Sequence, residues 1–309
     1  MSFQVTEAFV QQYSSTLYTL AQQKGSLLRN YVRTESIVGK ARSFDRIGPV
    51  TAQKRTTRHG DTPQMDTPHS RRWVYLSDYE WADMIDDLDK IRMLIDPTSD
   101  YLMAAMWALG RSMDDELIAA ADADVKTGET AATTVSLPDT QRLAASDGTN
   151  FSNLNVRTLR ALKLKFDAAQ IDPSITRHIA VTSSQLYSLL GETQVTSFDY
   201  NSVKALVQGQ VNTFMGFQFH QIERLGSDQS GALANVTTGA FGSGSAVTGF
   251  RKAIAWAQDG LILGIGKEMK SEIAKRPDKG FNTQAYAMMS VGAVRMEEQK
   301  VVMVFCKEN

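Results

Sequence analysis

Four histidines are the first residues of this 309-residue chain whose types and spacing could do chemistry. His59 and His69 stand close to Asp61 and Asp66, and imidazole and carboxylate groups are both ligands for a borderline cation. The spacing follows no established metal motif, and Pro63 and Pro68 restrict the fold-back that would bring the four together. A solvated loop tip is the expectation, and a metal-dependent enzyme using the His59–His69 loop is the lower alternative. His178 and His220 fall within or beside strand patterns, where hydrogen-bonded structural histidines are expected. Two glycine-rich stretches, FGSGSAVTG and LGIGKEMKS, lack the glycine spacing and hydroxyl of a phosphate loop. Asp86 with Asp87, and Asp114 with Asp115 and Glu116, are adjacent carboxylates that point in different directions on a helix, so they form no acid/base pair. No G-x-S-x-G nucleophile motif is present. Cys306, within VVMVFC, reads as a small buried hydrophobe and has no second cysteine with which to form an internal disulfide. No catalytic residue, metal ligand or cofactor is assigned, and a non-enzymatic protein is expected.

The elements that would position these residues belong to a soluble globular chain. Hydrophobic residues make up 42% of it, enough for a sizeable core, and the length suggests about two domains. A formal net charge of −1 gives no global signal for nucleic acid, no run approaches the ~20 apolar residues of a membrane span, and the N-terminus lacks a signal-peptide pattern, so no membrane partner and a cytoplasmic site of synthesis are expected. The charge is unevenly spread. Ser36 to Arg72 carries eight basic and three acidic residues (8 − 3 = +5), whereas Asp78 to Asp124 carries thirteen acidic and three basic (3 − 13 = −10). Adjacent blocks of opposite sign neutralise each other within one chain or meet between copies.

One long helix organises the order of elements. It is predicted over about 96–126, with Asp96 as N-cap, Pro97 at the first turn and Gly128 just beyond the end. Leu102, Ala105, Met106, Leu109, Met113, Leu117 and Ala120 recur along it at spacings of three and four and form one apolar face. Gly110 interrupts this run of good helix formers and predicts close packing or a bend. Before the helix, Val5, Phe9, Tyr13, Leu17 and Leu20 mark an amphipathic arm stopping at Gly25. Residues 36–70, broken by Gly39, Gly48, Pro49, Gly60, Pro63 and Pro68, suit a long extended hairpin with its tip near RHGDTPQMDTPH. Such a segment is expected to make little contact with its own domain. The return limb is a strand through Trp73, Val74, Tyr75 and Leu76. After the helix come a Thr/Ser/Gly-rich loop, a second helix in LNVRTLRALKLKFDAAQ capped at Asn153, the strand HIAVT, the capped helix SSQLYSLLG and the stretch VKALVQGQ. The aromatic strand FMGFQFHQI, a Gly/Ser-rich loop over 226–249 and three apolar strand regions complete the chain. The class is α+β with a mixed or antiparallel sheet.

From Arg58 onward, RHGDTPQMDTPHSRRWVYLSDYEWADMIDDLDKIRMLIDPTSDY and GRSMDDELIAAA, then RHIAVTSSQLYSLL and GAVRMEEQKVV, closely resemble tailed-bacteriophage major capsid proteins of the Hong Kong 97-type fold. The resemblance covers most of the chain in order. It implies an N-terminal arm over 1–35, an extended loop over 36–77, a peripheral domain with the spine helix over 78–184 and 281–309, and an axial domain over 185–280. It also implies self-assembly into pentamers and hexamers of an icosahedral phage head enclosing double-stranded DNA. The implied partners are further copies of the chain, a separate scaffolding protein, a portal protein, a decoration protein and packaged DNA held without sequence preference. The virion capsid, assembled in the bacterial cytoplasm, is the implied location. An encapsulin-type nanocompartment shell is the alternative on the same fold. The resemblance includes no match to the crosslinking motif of some relatives. If the charge blocks meet between subunits, Lys40, Arg42, Arg46, Lys54, Arg55, Arg71 and Arg72 face acidic groups such as Asp83, Asp86, Asp87 and Asp89 of another copy.

Overall fold

The computed structural model describes residues 22–58, 64–85, 98–148, 150–192, 213–228 and 250–308. The apolar series Val5 to Leu20, His59, Asp61, Asp86, Asp87, Asp89, Asp96, Pro97, the stretch VKALVQGQ and the glycine-rich FGSGSAVTG lie outside them. In chain order come β1 (Arg33–Ser36), β2 (Ala41–Ile47), β3 (His69–Tyr75), β4 (Ser77–Ile85), the long helix α1 (Thr98–Asp122), β5 (Val125–Thr127), β6 (Thr133–Val135) and β7 (Arg142–Ala144). They are followed by α2 (Val156–Ala168), β8 (Arg177–Val181), α3 (Ser183–Leu190), β9 (Thr213–Phe214), β10 (Phe217–Gln221), β11 (Ser227–Asp228), β12 (Phe250–Ala257), β13 (Leu261–Arg276), β14 (Asn282–Arg295) and β15 (Val301–Cys306).

Two compact units divide the chain. The larger takes residues 27–77, 113–266 and 291–309, and the smaller takes the rest. The larger unit is built on a seven-stranded sheet of order β7-β15-β12-β8-β10-β9, with β11 added on β12. Alternation along its strands fixes one face: Ile179, Val181, Ala253, Ala255, Ala257, Val302, Val304 and Cys306 pack with Leu159, Leu162 and Phe166 of α2 and Leu189 of α3. This sheet joins β15 and β8, expected in the peripheral domain, to β10 and β12, expected in the axial one. The expected boundary at 184/185 falls within α3 and runs between strands of this one sheet. The boundary expected at 280/281 falls in the short turn between β13 and β14, neighbours in another sheet.

Three local expectations shift for identifiable reasons. The N-cap of α2 is Asn155, whose side chain accepts from Thr158 N at 2.8 Å, and Asn153, two residues earlier, instead accepts from Leu154 N. FMGFQFHQI is a tight hairpin, because Met215 and Gly216 both take positive φ (53° and 86°) and reverse the chain between β9 and β10. The helix α1 stops at Asp122, four residues before the predicted end, and Val125 enters a strand paired with Val135. Gly128, with φ of 90°, turns β5 into β6 rather than closing the helix. The capped helix SSQLYSLLG forms as expected. Thr182 accepts from Gln185 N, and the Gln185 side chain accepts in return from Thr182 N.

Of the seven residues of the predicted stripe, α1 buries Ala105, Leu109, Met113, Leu117 and Ala120, while Leu102 and Met106 are half-buried. Its end is stopped by a side chain from far along the sequence. The buried Arg295 donates through Nη1 to Ala121 O (2.8 Å) and Ala123 O (3.0 Å), and through Nη2 to Val135 O (3.3 Å). A cation there also opposes the negative end of the helix dipole. Asp114, one of the adjacent carboxylates read from the sequence, is fully buried and accepts from the N–H groups of Leu27 (2.9 Å) and Leu28 (3.1 Å).

Within the smaller unit, residues 22–26 lie directly on α1. A Cβ placed on Gly110 would sit 2.6 Å from the backbone of Gly25, so only glycine admits this approach. Arg111 donates to Gln22 Oε1 and Gln23 O, both at 3.0 Å, and Lys24 lies over the Trp107 ring. Close packing, one of the two expectations for Gly110, is what the structure shows. Gly110→Leu should lower stability by about 2–3 kcal/mol, since the obstacle is backbone rather than a rotatable side chain. An unchanged thermal unfolding midpoint would show that the strap moves aside without cost.

Candidate assembly surfaces

The expected hairpin exists, and its root is built into the larger unit. β2 and β3 pair antiparallel in unbroken register, from Ala41 opposite Tyr75 to Ile47 opposite His69. Alternation turns Phe44 and Val74 inward, where they join Ile37, Val125, Ile262 and Val294 in a small core. The expectation of little contact with its own domain is thus corrected for the root. Enough inward β-branched and aromatic side chains are present there to bury a face. Beyond Ile47 the character changes. Residues 49–58 and 64–68 are exposed and mostly polar, with Pro49 and Pro68 among them. Val38 (93% exposed), Ile47 and Val50 add apolar surface along the same segment.

Charge on the hairpin separates along the same line. Arg72, 2% exposed, pairs with Glu298, and Arg46 Nη1 donates to Met296 O and lies 3.8 Å from Glu298. Burial lowers the Arg72 pKa and the Glu298 carboxylate opposes this, leaving the guanidinium charged. Arg71 forms a fork with Asp45 across the strand pair, and its hydrogen bond holds the Asp45 carboxyl below its ordinary range. Arg42 donates to Ser36 O and approaches Glu35 at 3.6 Å. Four of the seven basic residues singled out in the sequence are therefore engaged in their own chain. Among the described residues the side chains of Lys40 and Lys54 enter no ion pair, and Arg55 makes a local bond to Thr57 O at 3.0 Å. Of the acidic set, Asp83 lies on β4, exposed, and accepts from the neighbouring Met84 N. Asp86, Asp87 and Asp89 are outside the described residues.

A second protruding feature went unnoticed in the sequence. In the smaller unit the outer parts of β13 and β14 form a long hairpin whose turn, Pro277–Lys279 followed by Gly280, presents Phe281 at 63% exposure. Arg276 braces the turn through a two-pronged contact with Asp278, both at 2.8 Å. The signal was the tetrapeptide PDKG flanked by KSEIAKR and FNTQAYA, but an outer strand exposed on both faces shows no alternation to find.

Of the histidines singled out in the sequence, His178 and His220 come together and His69 lies elsewhere. His69 sits on the exposed end of β3 opposite Ile47, and among the described residues no three His, Cys, Asp or Glu side chains are placed to hold a metal ion. His178 and His220 hydrogen bond to each other. Burial pushes the Cys306 thiol up, away from reactivity. Among the described residues no helix is long and apolar enough to cross a membrane.

A family model described as phage capsid protein matches residues 5–308. No curated protein matches the chain. Among solved structures, the capsid of cyanophage P-SCSP1u is similar with a TM-score of 0.74 at 16% identity, covering 100% of this chain and 96% of that one. The capsid subunit of cyanophage Pam1 gives 0.71 at 14% identity over 98% and 97%. The head protein of Helicobacter pylori bacteriophage KHP40 gives 0.70 at 10% identity over 99% of each.

The buried pair at the hairpin root makes a sharp test. Glu298→Leu should cost roughly 3–5 kcal/mol by leaving Arg72 buried without its counter-charge, and adding Arg72→Met should restore most of that loss. Chemical denaturation of the two variants checks it. Additive losses in the double variant would mean that the pair does not act as one.

Proposed function

This chain belongs to the phage capsid protein family, and from that premise we propose that many copies assemble as pentamers and hexamers of an icosahedral shell enclosing double-stranded DNA. The observation that carries the proposal is the extent of the family match, 5–308 of 309 residues, which leaves little of the chain for any other activity. The architecture supports it. Residues 1–35 act as the N-terminal arm and 36–77 as the extended loop, with α1 as the spine helix. Residues 78–184 with 281–309 take the peripheral role and 185–280 the axial one in this proposal. The near-neutral formal charge suits a wall that contains DNA without gripping it. A separate scaffolding protein, a portal and a decoration protein are the other partners of this proposal. The virion, assembled in the bacterial cytoplasm, is its location.

Contact between copies runs through the exposed part of the hairpin. Its root is fixed by buried side chains, so the outer residues reach away from a firm base instead of folding back. Lys40, Lys54 and Arg55 are the cations left to meet acids of another copy, such as Asp83, Asp86, Asp87 and Asp89. Arg42, Arg46, Arg71 and Arg72 chiefly hold the hairpin in place. An exposed pair contributes only about 0–1 kcal/mol, yet a closed shell repeats each pair in every subunit, so the set can fix register while apolar burial supplies affinity.

Electron microscopy of the expressed protein tests the assembly directly, with closed or partial shells of one curvature expected. A protein that stays monomeric at high concentration would overturn the proposal. Reversing Lys40, Lys54 and Arg55 to Glu should cut shell yield several-fold in sedimentation at low salt. The difference from the parent should shrink as salt screens both. Equal yields across the salt series would show that these cations do not guide contact.

A further inference from the structure

Two histidines of the larger unit face each other beneath the segment that leads into β1. β8 and β10 run parallel with Gln218 opposite His178 and His220 opposite Ala180, so both rings project from one sheet face, with Trp256 opposite His178 on the neighbouring β12. His178 Nδ1 and His220 Nε2 are 3.0 Å apart. Tyr31 lies stacked on His220, with ring centroids 3.8 Å apart and planes 28° from parallel. Trp256 is 5.6 Å from His178, and its Nε1–H donates to Tyr31 O at 2.9 Å. Residues 29–32, just before β1, are thus tied to this sheet through one stacked ring and one hydrogen bond. Both fastenings rest on the histidine pair or its immediate neighbour.

The geometry dictates how this cluster treats a proton. His178 is 2% exposed, and its Nε2 has no hydrogen-bond partner. A bare lone pair is the cheaper group to leave unpaired there, so His178 Nδ1–H is assigned as donor and His220 Nε2 as acceptor. An added proton then has two places to go. On His178 Nε2 it creates a buried cationic N–H with no acceptor. On His220 Nε2 it sets two N–H groups head to head at 3.0 Å and drives the rings apart.

We infer that His178 and His220 form an acid-opened latch, which holds Tyr31 and residues 29–32 on the sheet while both rings are neutral and releases that segment when the pair gains a proton. The groups facing the pair do not offset this. Tyr31 and Trp256 are uncharged, and Arg29 and Arg33 on the Tyr31 segment are cations, Arg33 forked onto Glu35. On β8, Arg177 turns to Asp167 at 2.7 Å, and on β12, Arg251 lies near Glu223 and Glu308 while Lys252 holds Asp122. Asp114 of α1 is occupied by Leu27 and Leu28 N–H. Stacking on Tyr31 favours a charged His220, but loss of water outweighs it. Burial lowers His178 from 6.5 to about 4, the neighbouring His220 adding to the effect, and burial alone lowers His220 to about 4. A depressed histidine value means that the closed latch is at full strength above about 6.5 and weakens as pH falls towards 4.

Hydrogen exchange followed by mass spectrometry on the full chain tests the inference, with protection factors corrected for the chemical rate. Between pH 7.5 and 5, protection over residues 29–32 should fall about 10- to 30-fold, from the linkage of one ring titrating near 6.5 when open and near 4 when closed. Strand β15 should hold its protection over the same range. The double variant His178→Leu with His220→Phe, which keeps an aromatic ring under Tyr31, should lose this pH dependence. Protection in the parent that is unchanged at pH 5, or that falls in step with β15, overturns the latch without recourse to any variant. A double variant that keeps the parent's pH dependence overturns it as well.

Discussion

The long helix ends where a buried guanidinium meets its last carbonyls, and much of the larger unit depends on that contact. Arg295 belongs to β14, whereas the oxygens it binds belong to the end of α1, the residue beyond it and β6. One side chain therefore joins three stretches of chain with no covalent reason to meet. It also fixes the point at which the backbone turns from helix to strand. Burying a guanidinium is costly, and its Nε finds no partner among the described residues. Burial accordingly lowers its pKa, with Glu298 opposing and Arg72 adding to the effect. Three backbone acceptors at a helix C-terminus offset that cost where a single one would not. Asp114 does the converse further back along α1, spending its charge on the N–H groups of Leu27 and Leu28.

This arrangement explains how one hairpin can be both rooted and outstretched. Arg72 and Arg46 converge on Glu298, three residues after Arg295, so the helix end and the hairpin base draw on the same short turn before β15. Phe44 and Val74 fill the apolar side of that base. Past Ile47 the sequence offers no inward side chains, and the chain extends because nothing on its own subunit repays folding back. Rigidity at the root and exposure of residues 49–58 and 64–68 beyond it are what a segment needs if it is to meet another copy in a fixed direction.

Features set by neighbours in sequence were legible, and those set by distant partners were not. The stripe Ala105, Leu109, Met113, Leu117 and Ala120 follows from helical geometry alone, as do the capping box of Thr182 and Gln185 and the fully buried strand Arg177–Val181. Gly110 could be flagged because glycine is costly inside a helix, although its partner, the backbone of Gly25, could not be named. The end of α1 was misplaced because Val125 and Lys126 continue a helical pattern acceptably and Arg295 lies 174 residues from Ala121. The charge blocks were visible as composition, yet which cations were already engaged depended on Glu298, Asp45 and Glu35 being brought alongside. The outer half of β13 stayed hidden because it is exposed on both faces and lacks the alternation that β14, read as a strand, displays.

Zero-length carbodiimide crosslinking of particles assembled from a mixture of ordinary and nitrogen-15-labelled chains tests most directly the claim that the exposed hairpin serves another copy. Crosslinks that join Lys40 or Lys54 to carboxylates should then appear in mixed-isotope peptides as often as in single-isotope ones, because donor and acceptor come from different chains. If every such crosslink carries a single isotope throughout, the hairpin contacts only its own subunit, and the account of how this shell protein recognises itself is wrong.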